Sequence, residues 1–163
     1  MLTERGYGFA LFGASGYTGL LTAVYLAANA PTGLRWALVG RSPDRLEAIR
    51  GELAATYPEA PSPDLLQADA SDSEALNAVA ESARVVASTV GPYICYGGPL
   101  VAACAAAGAN YCDITGEPEF ADRTWRLHQA EAQRTGARLV HCCSYDSIPQ
   151  YPASGQQHGP GQH

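Results

Sequence analysis

At 163 residues the chain has the length of one domain, for which about 100–200 residues is usual. With 47% hydrophobic and only 16% charged residues it is too apolar to be disordered, and a net charge of −6 with scattered cations argues against a nucleic-acid partner, which needs a basic face. All ten cations are arginine, so a lysine Schiff base, a Walker A loop and a Tyr-x-x-x-Lys proton relay are excluded.

In chain order, the N-terminus has no apolar core after a basic segment and reads as no secretory signal. The longest apolar stretches, near 20–30 and 99–109, fall short of the ~20 residues that span a bilayer. No membrane span and a cytoplasmic location are therefore expected. A first strand over 9–12 runs into a glycine-rich turn and a helix over 17–28. A second strand over 36–39 ends at Gly40-Arg41-Ser42, where Ser42 is the expected N-cap and Pro43 the first helical residue. Leu46, Ile49 and Leu53 give that helix an apolar face. Residues 56–63, with three prolines, read as a loop.

The third strand is expected over 65–68. Ser71-Asp72-Ser73-Glu74 has the form of a capping box opening the next helix, with Leu76, Val79 and Ala80 facing inward. A β-branched run over 85–90 is the fourth strand, ended by Gly91-Pro92. A helix over 99–107 is closed by Gly108, a fifth strand covers 111–114, a helix from Pro118 ends at Gly136, and a sixth strand covers 138–142. Six strands separated by five helices predict an α/β, doubly wound parallel sheet of the Rossmann type, with strand order 3-2-1-4-5-6. The five cysteines (Cys95, Cys104, Cys112, Cys142, Cys143) show no Cys-x-x-Cys spacing and read as small packing residues, with the adjacent pair Cys142–Cys143 as the alternative of a redox switch.

Gly13-Ala14-Ser15-Gly16-Tyr17-Thr18-Gly19 stands between the first strand and its helix. Gly13 permits the tight turn, Gly16 lets the backbone approach a pyrophosphate, and Gly19 lets helix and strand pack closely. The helix N-terminus adds free N–H donors and a positive dipole end. NAD enzymes usually place an Asp or Glu at the end of the second strand for the ribose 2′-hydroxyl. Here Arg41 and Ser42 stand instead, a guanidinium and a hydroxyl suited to a 2′-phosphate. A charge-assisted bond of about 1.5–3 kcal/mol would favour NADP(H) by one to two decades.

Asp69, after the third strand, reads either as a cap or as a partner for an adenine amino group. Val90-Gly91-Pro92-Tyr93 lies beside the switch point where the nicotinamide half passes. Tyr93, Tyr96, Tyr111, Asp113, Glu117 and Asp146 stand near strand carboxyl ends, within reach of a substrate, though each alone is more often a cap or a packing residue. His128, His141, His158 and His163 show no metal spacing, and no metal site is expected.

GASGYTG, GRSPDRLEAIR, STVGPYICYGGPLVAACAAAG, YCDITGEPEF and YDSIP together resemble the saccharopine dehydrogenase-like oxidoreductases, most of all the subgroup of trans-acting enoyl reductases of bacterial complex-lipid synthesis. The resemblance implies an NADP-binding Rossmann domain over 1–149, followed in relatives by a larger substrate and dimerisation domain. By matching position, Gly13, Ser15, Gly16, Tyr17, Thr18 and Gly19 would hold the pyrophosphate, Arg41 and Ser42 the 2′-phosphate, and Gly91, Pro92 and Tyr93 would line the nicotinamide path. Lipid-directed relatives would deliver hydride to an α,β-unsaturated acyl chain.

Two departures stand out. Gly98 occupies a position where relatives often carry Glu, and Ser-Ile-Pro leads into 150–163, QYPASGQQHGPGQH, instead of an Asp-Leu-Gly continuation. That segment reads as an unstructured tail, so a chain lacking its substrate domain is expected. Three readings stay open at this point: the cofactor half of an NADPH-dependent oxidoreductase, with a homodimer or a complementing substrate domain if functional; a non-catalytic NADP-binding or sensor module; and an inactive frameshift product.

Overall fold

A computed structural model describes residues 5–144; Asp146, His158, His163 and the tail read over 150–163 lie outside the described residues. Six parallel strands form one sheet in the order β3-β2-β1-β4-β5-β6, as predicted. The elements run β1 (Tyr7–Phe12), α1 (Tyr17–Asn29), β2 (Trp36–Gly40), α2 (Pro43–Thr56), β3 (Asp64–Gln67), α3 (Ser73–Ser82), β4 (Ala83–Ser88), α4 (Tyr93–Tyr96), α5 (Gly98–Ala107), β5 (Asn110–Asp113), α6 (Pro118–Thr135) and β6 (Leu139–Val140).

Alternation along the strands divides the core in two. Leu11, Trp36 and Leu38 pack with Ala23 and Ala27 of α1 and Leu46, Ile49 and Leu53 of α2. On the other face Ala10, Phe12, Val39 and Val86 pack with Leu76 and Val79 of α3, Leu100 and Cys104 of α5, and Phe120 of α6. Both faces of a parallel sheet are covered, as its crossover helices require. Gly108 and Gly136 close α5 and α6 at φ of 71° and 82°, the left-handed caps that glycine adopts without strain.

Five sequence expectations need correction, the first being the helix count: α4, a single turn after Pro92, makes six helices among the described residues where five were expected. The β-branched run extends to Val90, but β4 ends at Ser88: the Thr89 N–H makes the last ladder bond, to the Phe12 carbonyl (2.9 Å), and β1 then turns away at Gly13 (φ 88°), leaving Val90 no partner on that strand. Residues 138–142 do not all form strand: β6 is Leu139–Val140, and beyond it the Cys142 and Cys143 N–H groups bond Asp113 (3.2 and 2.7 Å). The cap of α3 is Asp72, whose carboxylate accepts from the Glu74 and Ala75 N–H groups (3.1 Å each), while the Ser71 hydroxyl donates to Asp69. Packing describes only Cys104, which is buried with its thiol pushed up to about 12 by burial. Cys95 is exposed and Cys112, Cys142 and Cys143 are half-buried, and all five are free. Among the described residues no helix is long and apolar enough to cross a membrane.

At the opposite end of the sheet from the glycine turn, Arg5 joins three carbonyls. Its guanidinium donates to Ala80 and Ala107, in the last turns of α3 and α5, and to Ala83 at the start of β4 (2.7 Å). A cation suits the negative ends of two helices, and these bonds are charge-assisted. Arg5→Met is expected to lower stability by about 2 kcal/mol, roughly 4–8 °C in Tm. Thermal unfolding followed by circular dichroism checks this, and an unchanged Tm would remove the clamp from the account of stability.

Candidate functional site

The site begins where β1 stops. Gly13 takes φ 88°, and its N–H and that of Ala14 both donate to the Val39 carbonyl (2.9 and 3.2 Å), pinning the turn to β2. The Gly16 N–H returns to the Gly13 carbonyl (3.0 Å), and α1 starts at Tyr17 with no side chain capping it. Tyr17, Thr18 and Gly19 therefore carry the first N–H groups of the helix, which have no intrahelical acceptor.

The three glycines do different things. A Cβ on Gly19 would stand 2.1 Å from the Gly13 carbonyl oxygen, and one on Gly13 would stand 2.6 Å from Val90 Cγ2. Gly16 is exposed, and a Cβ there would meet only the Gly13 oxygen, at 3.4 Å. So Gly13 and Gly19 are required by packing, whereas Gly16 keeps a surface bare.

That surface is the floor of a cleft of about 420 Å³. Gly13, Ser15 and Gly16 form the floor. Gly40, Arg41 and Arg45 form one side, Ala68 to Ala70 the back, and Thr89, Val90, Gly91 and Tyr96 the far wall. It lies beyond the carboxyl ends of β1, β2 and β4, at the point where the strand order reverses, the usual ligand position in such sheets.

Of the residues expected at the site, Gly13, Ser15, Gly16, Arg41, Asp69 and Gly91 line the cleft. Ser42 instead caps α2, its oxygen accepting from the Arg45 N–H (3.5 Å), and Tyr17 is 83% exposed. Asp69 takes two bonds on one oxygen, from the Ser71 N–H (2.9 Å) and hydroxyl (2.6 Å), and its other oxygen lies 3.7 Å from Arg41 Nε. The Ser71 hydrogen bonds, with Arg41 adding to them, hold its carboxyl below the ordinary aspartate range.

Tyr93 turns away from the cleft. Its ring is buried 5.7 Å from that of Phe120, and its hydroxyl donates to the Ser88 carbonyl (2.9 Å). Burial pushes that hydroxyl up to about 12, so it stays a donor at neutral pH. Pro92 follows a cis peptide and precedes α4. Tyr111 and Asp113 are buried and bonded to each other (2.9 Å), and His141 Nδ1 reaches the same Asp113 oxygen (2.7 Å). Glu117 accepts from the Tyr93 and Ile94 N–H groups (2.8 and 2.7 Å). Asp146 lies outside the described residues, and among the described residues no His, Cys, Asp and Glu cluster could hold a metal.

Arg45 was not foreseen as a site residue. The signal was present: Ser42-Pro43 starts a helix, and four residues after Arg41 is one turn along it. Thr89, also in the wall, was hidden in a run that reads as strand.

A glycine floor, an uncapped helix start and two guanidinium groups define a dinucleotide-binding Rossmann domain. The chain belongs to the family of the saccharopine dehydrogenase NADP binding domain, whose pattern matches residues 9–140. A trans-acting enoyl reductase of Mycobacterium ulcerans is 47% identical over 149 residues, 90% of this chain and 34% of that protein. A protein of Mycobacterium tuberculosis, provisionally named a trans-acting enoyl reductase, is 50% identical over 150 residues, again 90% of this chain and 34% of its own length. The chain thus spans about a third of the length of the curated relatives it matches. In fold it is similar to saccharopine dehydrogenase (L-Glu forming) from Saccharomyces cerevisiae, with TM-score 0.71 and 18% identity over 93% of this chain and 30% of that one. It is also similar to the triphenylmethane reductase of a Citrobacter species complexed with NADP(H), with TM-score 0.57 and 16% identity over 82% and 48%.

The glycine geometry gives a paired expectation. Gly19→Ala drives a methyl into backbone and is expected to cost about 3 kcal/mol, roughly 6–12 °C in Tm. Gly16→Ala, at φ −81° with space for the methyl, should lose only about 1 kcal/mol, the usual difference at an N-cap. Equal losses for the two variants in thermal denaturation would contradict the packing role assigned to Gly19.

Proposed function

We propose that the chain binds NADP(H) in preference to NAD(H), as the cofactor domain of an oxidoreductase of the trans-acting enoyl reductase kind. The observation that carries this is the pair Arg41 and Arg45 on one side of the cleft, next to the bare Gly40 backbone. In this reading Ser15, Gly16 and the N–H groups of Tyr17, Thr18 and Gly19 hold the pyrophosphate, with Gly13 shaping the turn. Arg41 and Arg45 hold the 2′-phosphate, with Ser42 setting the helix start that carries Arg45. Asp69 faces the adenine end, while Gly91 and Tyr96 flank the nicotinamide end. Pro92 and Tyr93 support that wall from behind.

The fit rests on features of the chain itself: a floor without side chains, an uncapped helix, and guanidinium groups able to make bidentate bonds to phosphate. The chemistry a bound reduced nicotinamide supplies is hydride, in this class to an α,β-unsaturated acyl chain. The residues here bind and orient; the acyl-binding surface is assigned to a part of the protein outside this cofactor domain, or to a second copy of the chain. A cytoplasmic location suits five cysteines that are all free.

Parallel fluorescence titrations of the purified chain with NADPH and NADH test the proposal. NADPH should bind about 10- to 100-fold more tightly. Arg41→Ala and Arg45→Ala should each remove about tenfold of that affinity while leaving NADH binding unchanged. Equal affinities for the two nucleotides, or no saturable binding by folded protein, would overturn it.

A further inference from the structure

Glu117 is the backbone N-cap of α6, yet its side chain makes no bond to its own helix. Both carboxylate oxygens reach instead across to α4: Oε1 accepts from the Tyr93 N–H (2.8 Å) and Oε2 from the Ile94 N–H (2.7 Å). α4 is a single turn of four residues whose preceding residue, Pro92, offers no side-chain cap. One turn of helix has little stability of its own, and a carboxylate on its first N–H groups is a favourable way to hold it.

The carboxylate is itself held. The Glu117 N–H donates to Thr115 Oγ1 (3.1 Å), and the Thr115 N–H donates to Asp113 Oδ1 (3.1 Å) at the end of β5. Thr115 and Asp113 are buried. On the α4 side, Tyr93 is anchored through Ser88 and Phe120. Gly97 lies so close to Phe120 that a Cβ would fall 2.6 Å from its Cζ. The turn between Gly91 and Tyr96, both of which line the cleft, is thus fastened to the β5–α6 loop through one side chain.

We propose that Glu117 is a positioning residue for the nicotinamide side of the cleft, holding α4 so that Gly91 and Tyr96 keep their places in its wall. The proposal rests on the reading of the cleft as an NADP(H) site. Arg41, Arg45 and the glycine turn lie on other elements, across the cleft, and do not depend on this tie. Loss of Glu117 therefore affects one half of the ligand and spares the other.

The test compares NADPH with 2′,5′-ADP, which carries the adenosine end and no nicotinamide, by calorimetric titration of the wild-type chain, Glu117→Ala and Glu117→Gln. The result expected for Glu117→Ala is about tenfold weaker NADPH binding, the scale of a lost charge-assisted hydrogen bond, with 2′,5′-ADP changed less than about twofold. Glu117→Gln, which keeps the length and one acceptor oxygen, should fall between. Hydrogen exchange at the Tyr93 and Ile94 amides should accelerate in the same order without any ligand. Parallel weakening of both ligands, or weakening of neither, would overturn the proposal; if Glu117→Ala does not fold, the glutamine variant decides by the same comparison. A wild-type chain that binds neither ligand would overturn the NADP(H) reading itself, whereas one that binds both, with Glu117→Ala unaltered, would overturn only the role of Glu117.

Discussion

Gly13 and Gly19 approach so closely that neither can carry a side chain: a Cβ on Gly19 would lie 2.1 Å from the Gly13 oxygen. That contact sets how α1 leaves the sheet, and the site is arranged around it. With α1 drawn onto the turn, Ser15 and Gly16 become the cleft floor. Gly13 in turn sits under Val90, and a methyl at that position would collide with both Val90 and Thr89. The same crossing ends β4 at Ser88 and directs the chain along the far wall toward α4. One steric constraint accounts for the floor of the cleft and for the path of the wall opposite the arginines.

The wall is held by polar contacts, centred on a buried carboxylate. Asp113 accepts from the Tyr111 hydroxyl, the Thr115 and Cys142 N–H groups and His141. A buried carboxylate left unpaired would be strongly destabilising; here no buried side-chain polar atom among the described residues lacks a partner. The arrangement also explains the backbone of Cys142, at φ 60°, a conformation that costs a non-glycine residue about 1 kcal/mol or more. Its N–H reaches the Asp113 carboxylate and that of Cys143 the Asp113 backbone carbonyl, which offsets that cost as the chain leaves β6 after two residues. Through Thr115 the same carboxylate supports Glu117, so the ends of β4, β5 and β6 are coupled by hydrogen bonds.

The strands and the glycine turn were legible because each rests on a local rule, a short apolar run or a residue able to take positive φ, and the strand order followed from the fold class those elements define. Ser42 and Pro43 announced α2, and Leu46, Ile49 and Leu53 its buried face. What was not legible depends on contacts between distant residues. Nothing near Val90 says that β4 stops two residues earlier; the turn that ends its partner strand β1 at Gly13, far away in sequence, decides it. Tyr93 stands between cleft residues in sequence but faces the core, since its hydroxyl finds Ser88 and its ring finds Phe120. α4 is too short to show periodicity, and Glu117 reads as the start of α6, although its side chain serves another helix. Ser71 and Asp72 are both good caps, and only the turn at Asp69 determines which is used.

The pairing of Arg41 with Asp69 bears on whether the arginine side of the cleft can accept an anion. At 3.7 Å, with the Arg41 side chain 81% exposed, the contact is of the exposed kind, worth about 0–1 kcal/mol. A phosphate can offer several oxygens to the guanidinium in bidentate geometry, a stronger arrangement. Asp69 also has its first call on Ser71, whose two hydrogen bonds fix one carboxylate oxygen regardless of Arg41. The carboxylate therefore does not need the arginine for its own stability, and the arginine leaves it at little cost. Arg45 has no such carboxylate partner among the described residues: its N–H closes the Ser42 cap while its side chain lines the cleft. The two guanidinium groups thus reach the same edge under different constraints, one held loosely by a carboxylate and one placed by the first turn of α2, and in the proposed reading it is their convergence there that selects a doubly charged phosphate over a ribose hydroxyl.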